Sequence, residues 1–247
     1  RLDSRPIILS SITNSMKLLT TSNPKTQKSI KRGYLTAILH LAPSKLSGVD
    51  VCKHATPQCI RFCLNKAGRG GIVKTGETTN AIQLARVART RMWLDSPVAF
   101  TAQLNREIEA LKRKARRMGL RLAIRLNGTS DISWEEELPA LFWRHDDVQF
   151  YDYTKNFVRM TTYLWDWPTF NYHLTFSRSE LNDDQCSEIL RLGGNVAVVF
   201  DSVPDTFRDR AVCDGDGDDL RFLDPPLVWV GLKAKGKLKQ FESSFKI

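Results

Sequence analysis

Hydrophobic and polar positions alternate along the chain in a way that predicts strands and helices in turn. A compact apolar run from Leu35 to Pro43 is typical of a buried strand, because it is short and ends at a proline. Five later runs of similar length predict five further strands, at 120–126, 148–153, 172–177, 195–200 and 226–234.

The segments between these runs have helical periodicity. Residues 81–94 place apolar residues at helical spacing with arginines on the other side. Ser96 and Pro97 are suitable for the N-cap and first turn of a second helix. Its apolar stripe predicts a core-facing side, formed by Phe100, Leu104, Ile108, Leu111 and Ala115. Its other face is basic, with Lys112, Arg113, Lys114, Arg116 and Arg117. Two more helices are predicted near 134–143 and 182–192.

Alternation of strands and helices indicates βα units and a mainly parallel sheet, which makes the chain an α/β protein. Six strands fit a partial (β/α)6 barrel, and an open doubly wound sheet is the alternative. Residues 1–33 are rich in Ser, Thr, Lys and Asn without sustained periodicity, which predicts an N-terminal arm. Residues 34–247 are predicted to form a single α/β domain, with a cysteine loop directly after its first strand.

The composition indicates which binding partners and which cellular compartment to expect. The formal net charge is +10 over 247 residues. Such a surplus favours nucleic acid as a partner, although solvated Lys and Arg faces explain it equally well. The five cysteines are clustered and odd in number, which argues for a reducing compartment and against a secreted disulfide framework. No apolar run approaches membrane-spanning length, so no membrane is expected.

Three cysteines in one short loop are the main chemical signal. Cys52, Cys59 and Cys63 have the spacing C-x6-C-x3-C. Close thiolates favour a soft metal, either a 4Fe-4S cluster with one iron free for a further ligand or a zinc ion. His54 would complete a Cys3His zinc site. Free thiols are the third interpretation, and Cys186 and Cys213 become ligands only if the fold returns them to the loop.

Polar residues follow the predicted strands repeatedly. In parallel α/β folds such positions meet at one edge of the sheet, where functional residues collect. The candidate catalytic residues are Asp131, Asp152, Lys155 and Lys233. The candidate cofactor-binding residues are Asn127, Ser177, Arg178 and Gly70, the last within a glycine cluster that permits close backbone approach to a ligand. The plain alternative is that loops are polar in any case.

Carboxylates supply two more hypotheses. The run CDGDGDDLRFLDP carries Asp214, Asp216, Asp218, Asp219 and Asp224. It lacks the closing glutamate of a calcium loop, so a solvated acidic turn is the favoured interpretation. Asp131, Asp152 and Asp201 at strand ends would also suit a metal-dependent nuclease.

The position of the cysteine loop resembles the layout of radical-SAM enzymes, in which three cysteines follow the first strand of a partial barrel. The usual C-x3-C-x2-C motif is absent. This resemblance implies a 4Fe-4S cluster whose free iron binds S-adenosylmethionine.

Several strings together resemble a bacteriophage family, that of the gene-product-eighty-eight type. They include VDVCKHATPQCIRFCLNKAGRG, RLNGTSD, FYDYTK, NYHLTFS and VGLKAKG. The resemblance runs from about Asn23 to Gly236 and leaves the N-terminal arm outside. It implies a phage origin and a location in the host cytoplasm.

The expected function is therefore that of a phage-encoded iron–sulfur protein on a radical-SAM-like barrel. If it catalyses a reaction, reductive cleavage of S-adenosylmethionine is the expected one. The alternatives are a nucleic-acid-binding protein with structural zinc, and the metal-dependent nuclease.

Overall fold

The computed structural model describes residues 16–22, 24–166 and 171–247. Within these ranges nine strands form one sheet in the order β1-β2-β3-β4-β5-β6-β9-β8-β7. The strands are β1 (Leu19–Thr20), β2 (Tyr34–Leu39), β3 (Arg121–Arg125), β4 (Gln149–Thr154), β5 (Tyr172–Ser177), β6 (Val196–Phe200), β7 (Thr206–Phe207), β8 (Arg210–Asp214) and β9 (Trp229–Lys233).

The sheet is mostly parallel and open. Strands β2 to β6, β9 and β8 pair in parallel, and only the short edge strands β1 and β7 are antiparallel to their neighbours. The six predicted strands are confirmed as β2 to β6 and β9, and so is the mixed α/β class. Because β1 and β7 lie at opposite edges, the described sheet does not close and a barrel is not confirmed. An open sheet agrees with the alternative, although the six predicted strands follow one another in chain order without the reversal of a doubly wound sheet.

Eight helices accompany the strands in the described part of the chain. They are α1 (Pro24–Ile30), α2 (Pro57–Arg61), α3 (Ala81–Asp95), α4 (Pro97–Arg117), α5 (Trp134–Glu137), α6 (Pro139–Arg144), α7 (Phe157–Asp166) and α8 (Asp183–Arg191). Short 3-10 turns occupy Leu64–Lys66, Gly68–Gly71, Arg221–Leu223 and Gly236–Gln240. The helix predicted over 134–143 is broken before Pro139, which has no N–H for the helical hydrogen bond.

The main core lies between the helices and one face of the sheet. Helix α4 contributes the predicted stripe, of which Phe100, Leu104, Ile108 and Ala115 are buried. Burial of large apolar side chains at such positions stabilises the fold by about 1.5–3 kcal/mol each. A smaller cluster covers the opposite face, where Leu220 and Phe222 pack against Tyr34, Ala123 and Tyr151.

The acidic run 214–224 is part of this second cover. Asp219 is only 1% exposed and accepts hydrogen bonds from Arg125, Tyr151 and Tyr153. Asp218 is also buried and pairs with Arg32. The interpretation of this run as a solvated turn is therefore wrong for Asp218 and Asp219, which are buried and pair with Arg32 and Arg125, whereas Asp214 is exposed.

The segment assigned to an N-terminal arm has structure where it is described. Residues 1–15 lie outside the described residues. Leu18 and Leu19 are buried, and both backbone N–H groups donate to the Glu107 carboxylate of α4. Strand β1 pairs with β2, and α1 follows it. This stretch therefore packs on the same sheet as the rest of the chain.

Candidate functional site: a cysteine loop at the carboxyl edge of the sheet

The cysteine loop, residues 52–63, crosses the edge where the parallel strands end. It follows β2 in the chain, and its middle is joined by hydrogen bonds to the segment after β5 and to the C-terminal segment. Glu180, which follows β5, accepts hydrogen bonds from Thr56 Oγ1 and Gln58 N. The Gln58 side chain in turn accepts from Ser243 Oγ at 3.3 Å. The loop is thus fastened across the sheet and not only at its own ends.

All three loop cysteines are free thiols with intermediate burial. Ser44 N donates to Cys52 Sγ at 3.3 Å, and Asn65 N donates to Cys63 Sγ at 3.5 Å. Cys52 Sγ also lies 3.7 Å from Thr129 O. Cys59 lies in α2, where its N–H donates to the N-cap side chain of Thr56. Backbone N–H groups directed at sulfur stabilise thiolates and tune metal-bound cysteine.

The pKa values of the loop thiols are shifted by burial and by the neighbouring charges. Burial raises the pKa of Cys52 to about 12, and Cys63, Asp131 and Cys59 add to the rise. Burial also raises the pKa of Cys63, which Cys59 raises further and Arg86 and Lys155 lower. As the side chains are placed, however, no group of three or more His, Cys, Asp or Glu residues within the described ranges is arranged to hold a metal ion.

The glycine cluster packs against α3 beside the cysteine loop. The Gly70 carbonyl accepts hydrogen bonds from Asn80 Nδ2 and Gln83 Nε2. A Cβ atom at Gly70 would lie 2.8 Å from Asn65 O. Gly70 is therefore required by close packing within the protein, and its predicted cofactor contact stays a prediction.

The buried face of α3 is polar. Gln83, Arg86 and Thr90 are buried, whereas Leu84 is 57% exposed. The prediction of an apolar face with arginines on the other side is wrong for these turns. Arg86 points inward because Asn65 O and Asn65 Oδ1 accept hydrogen bonds from its Nη1 atom.

A buried polar network lies behind the same edge. Asp152 in β4 is fully buried and accepts from Asn127 N at 2.7 Å, Asn127 Nδ2 at 3.1 Å and Tyr172 OH at 3.2 Å. Burial raises the pKa of Asp152 to about 7, and the nearby Arg159 opposes the rise. Asp152 and Asn127, which are both predicted site residues, are thus in contact, but they lie inside the protein.

Asp131 and Lys155 also meet at this edge. The Asp131 carboxylate accepts from Thr154 Oγ1 at 2.8 Å, from Lys155 N at 2.8 Å and from Arg159 Nη1 at 3.3 Å. The Lys155 ammonium lies 5.7 Å from the ring centroid of Phe245. Arg159 also donates to Tyr172 OH, which donates to Asp152, so one guanidinium links this pair to the buried network.

The remaining predicted residues also lie at the ends of parallel strands, where each is held by partners of its own. Arg178 is buried and pairs with Asp183 at 2.7 Å, and Ser177 O accepts from Asn182 Nδ2. Lys233 is exposed, and its N–H donates to Asp216 of the acidic run. Asp201 pairs with Lys246 at 2.5 Å. In the described structure Asp131, Asp152 and Asp201 thus do not form a carboxylate cluster of the kind a two-metal nuclease needs.

Sequence reasoning did not select Arg86, Glu180 or Arg159. Arg86 has a detectable signal, because Gln83, Arg86 and Thr90 recur at helical spacing as a polar face. Glu180 and Arg159 act through contacts 24–124 residues away in the chain, for which periodicity gives no signal.

Fold and loop together define a mixed α/β protein with a thiol-rich loop at the carboxyl edge of a mainly parallel sheet. The model of the Gene product 88 family matches residues 10–245, so the chain belongs to that family. Membership confirms the predicted family and supports a bacteriophage origin. The match begins at residue 10, so placing the whole arm outside the family pattern is wrong. The comparison with curated proteins gives no match, and neither does the comparison with solved structures.

No helix among the described residues is long and apolar enough to cross a bilayer.

Proposed function

We propose that this phage protein binds an iron–sulfur cluster through Cys52, Cys59 and Cys63. The observation that carries the proposal is the gathering of three free thiols on one fastened loop at the edge where α/β proteins bind ligands. Thiolate is the ligand that iron–sulfur clusters use, and three thiolates leave one iron of a 4Fe-4S cluster open.

The surroundings of the thiols support a metal-binding role. Cys52 and Cys63 each accept a backbone N–H, and Arg86 and Lys155 supply positive charge near Cys63. Because the thiols as placed do not form a metal-binding group, loading requires the loop to close around the metal. A cluster bound there supplies electron transfer and an open iron for a small ligand, for which S-adenosylmethionine is the candidate that the layout suggests.

The residues of this chain that would contact such a ligand are those at the same edge with partial exposure. Lys155 and Asp131 meet this condition. Asp152 and Asn127 do not, because both are buried and bonded to each other, so their role is to position the edge.

Anaerobic purification followed by measurement of iron, acid-labile sulfide, zinc and the absorption spectrum tests the proposal. Near-equal iron and sulfide, with a broad absorbance that dithionite bleaches, is the expected result. The triple variant Cys52→Ala, Cys59→Ala, Cys63→Ala is expected to lose the metal. Cys213→Ala is the matched control, because this cysteine is also half-buried but lies in β8.

Retention of all the metal by the triple variant contradicts the proposal. Zinc without iron and sulfide makes the loop a structural element and removes the redox role. In that case S-adenosylmethionine binding is not expected.

A nucleic-acid-binding function is the second candidate, and the surface of α4 favours it. Arg106, Arg113, Lys114 and Arg117 are exposed on one helix. Within the described ranges none of the four has an ion-pair partner, whereas Lys112 and Arg116 pair with Asp147. Three of the four lie within the last two turns, where cations are also favoured by the helix dipole.

Binding to double- and single-stranded DNA at several salt concentrations tests this candidate. A log–log slope that becomes shallower in the Arg113→Gln, Lys114→Gln, Arg117→Gln variant supports phosphate contacts from this face. A flat salt response of the unaltered protein contradicts it.

A further inference from the structure

Arg86 is a buried cation that lacks a buried anion as partner. Its side chain is nine-tenths buried, and within the described ranges no carboxylate lies within 4 Å of its guanidinium. Its hydrogen-bond partners are two oxygens of Asn65, both uncharged, and its Nε atom has no partner. Burying an unpaired guanidinium costs much free energy, so proteins normally pair it.

The other charged groups near Arg86 make its isolation more marked. Burial lowers the pKa of Arg86, and the neighbouring Arg89 lowers it further, whereas Cys63 raises it. Burial lowers the pKa of Arg89, and the Glu107 carboxylate, which interacts with it, raises that pKa. Glu107 therefore already balances the charge of Arg89 and is not an unshared anion for Arg86. His40 is held neutral because burial together with Arg86, Arg125 and Arg89 lowers its pKa to about 3. Asn65, which accepts hydrogen bonds from Arg86, donates its backbone N–H to Cys63 Sγ at 3.5 Å, so the open side for an anion is that of Cys63.

We infer that Arg86 is the internal counter-ion of an anionic group bound at Cys63, and that it sets how firmly that group is held and how readily it is reduced. This inference rests on the proposed function, because the anionic group is the thiolate-bound cluster. Arg86 acts through charge and does not ligate the metal. Asn65 O, which accepts from Arg86, lies so close to Gly70 that a Cβ atom there would be 2.8 Å away, and Gln83 fixes the Gly70 carbonyl by a hydrogen bond.

Two variants separate the charge of Arg86 from its packing. Arg86→Gln removes the charge and keeps a donor for Asn65, and Arg86→Lys keeps the charge. Asn65→Asp is a second way to cancel the charge, because it places a carboxylate beside the intact guanidinium. Arg91→Gln is the control, as Arg91 is an exposed arginine on the same helix.

The measurements are the rate at which the loaded protein loses iron to a chelator and the midpoint potential of the cluster. Arg86→Gln and Asn65→Asp are expected to lose iron about tenfold faster and to have a more negative potential, because the reduced cluster carries the extra negative charge. Arg86→Lys and Arg91→Gln are expected to resemble the parent. Circular dichroism and thermal unfolding of each protein verify that the fold is kept.

If the parent loads iron and Arg86→Gln matches it in both measurements, the inference is overturned and the proposed function stands. If Arg86→Lys is as impaired as Arg86→Gln, the role is packing and the counter-ion is likewise overturned. If the parent holds no iron, the proposed function fails and the inference fails with it.

Discussion

The hydroxyl of Thr56 donates to the carboxylate of Glu180 at 2.8 Å, which joins the cysteine loop to the end of β5, three strands away from β2 in the sheet. Thr56 is also the N-cap of α2 and accepts the N–H of Cys59 at 3.3 Å. One side chain therefore fixes both the start of the helix that carries Cys59 and the position of that helix on the sheet.

Thr56→Val is expected to lower the free energy of unfolding by about 1 kcal/mol, because an N-cap and a hydrogen bond to a charged group are lost together. Urea unfolding followed by circular dichroism measures the change. Thr75→Val, at an exposed threonine of the following loop, is the control. Equal stability of the two variants would show that the link between Thr56 and Glu180 contributes nothing.

Asp219→Asn is expected to destabilise the protein by about 3–5 kcal/mol, because Arg125 then remains buried without its countercharge. Asp219 is almost completely buried and its Oδ2 atom lies 3.2 Å from Arg125 Nη1. Denaturant unfolding measures this against Asp205→Asn, an exposed carboxylate between β6 and β7. A loss below about 1 kcal/mol would mean that the acidic run does not hold the second face.

The raised pKa of Asp152 leads us to expect that the protein loses stability as the pH rises. Burial raises the pKa of this carboxyl from 3.8 to about 7 in the folded protein. Between these two values the unfolded chain releases the proton and the folded protein keeps it, so the contribution of Asp152 is complete below pH 3.8 and is lost by about pH 7. Asp152→Asn removes this dependence.

Urea unfolding of the parent and Asp152→Asn from pH 4 to pH 8 measures the effect. As the pH rises, the free energy of unfolding of the variant is expected to increase relative to that of the parent by up to about 4 kcal/mol, at about 1.4 kcal/mol per pKa unit. The pH-independent cost of the altered hydrogen bonds cancels in this comparison. Parallel stability curves would contradict a raised pKa, and Asp166→Asn, at an exposed position, is the control.

The lowered pKa of His173 leads us to expect the opposite change, a loss of stability as the pH falls. Burial, with a contribution from Arg221, lowers the pKa of His173 from 6.5 to about 4. Below pH 6.5 the imidazole binds a proton in the unfolded chain but not in the folded protein. Stability present at pH 7 is therefore lost as the pH falls towards 4. The parent is expected to lose about 2 kcal/mol between pH 7 and pH 5 relative to His173→Gln.

Unfolding in urea at the two pH values measures this difference. The exposed His54→Gln variant serves as the control for changes elsewhere in the chain. If His173→Gln and the parent lose the same stability on acidification, the buried imidazole is not the cause.

Much of the fold could be predicted from periodicity. The apolar stripe of α4 and the apolar runs of β2 to β6 are long enough to give the element type, and the bounds of β5 agree with the structure. Strands β1 and β7 have two residues each, which is too short for any periodicity. Strand β8 has no fully buried residue, so its sequence carries no burial pattern.

The candidate site could be predicted only in part, because topology places a residue at the edge of the sheet but does not determine whether its side chain is buried. Parallel strands bring their carboxyl ends to one edge, so the meeting of Asp131 and Lys155 follows from topology. Whether a polar side chain faces solvent or the interior does not follow from topology. Asp152 and Asn127 satisfy each other inside the protein. The polar face of α3 that carries Arg86 is buried, whereas Leu84 of the same helix is exposed.

The placement of β9 has a consequence for how the chain assembles during synthesis. Each strand from β2 to β6 pairs with the one made just before it, so this part of the sheet can grow as the chain leaves the ribosome. Strand β9 then enters between β6 and β8, which are both made earlier. Until residues 229–233 emerge, β6 is an unprotected edge and the β7–β8 hairpin has no strand on which to dock. The nascent protein therefore passes through a stage with an exposed sheet edge, and insertion of β9 ends that stage.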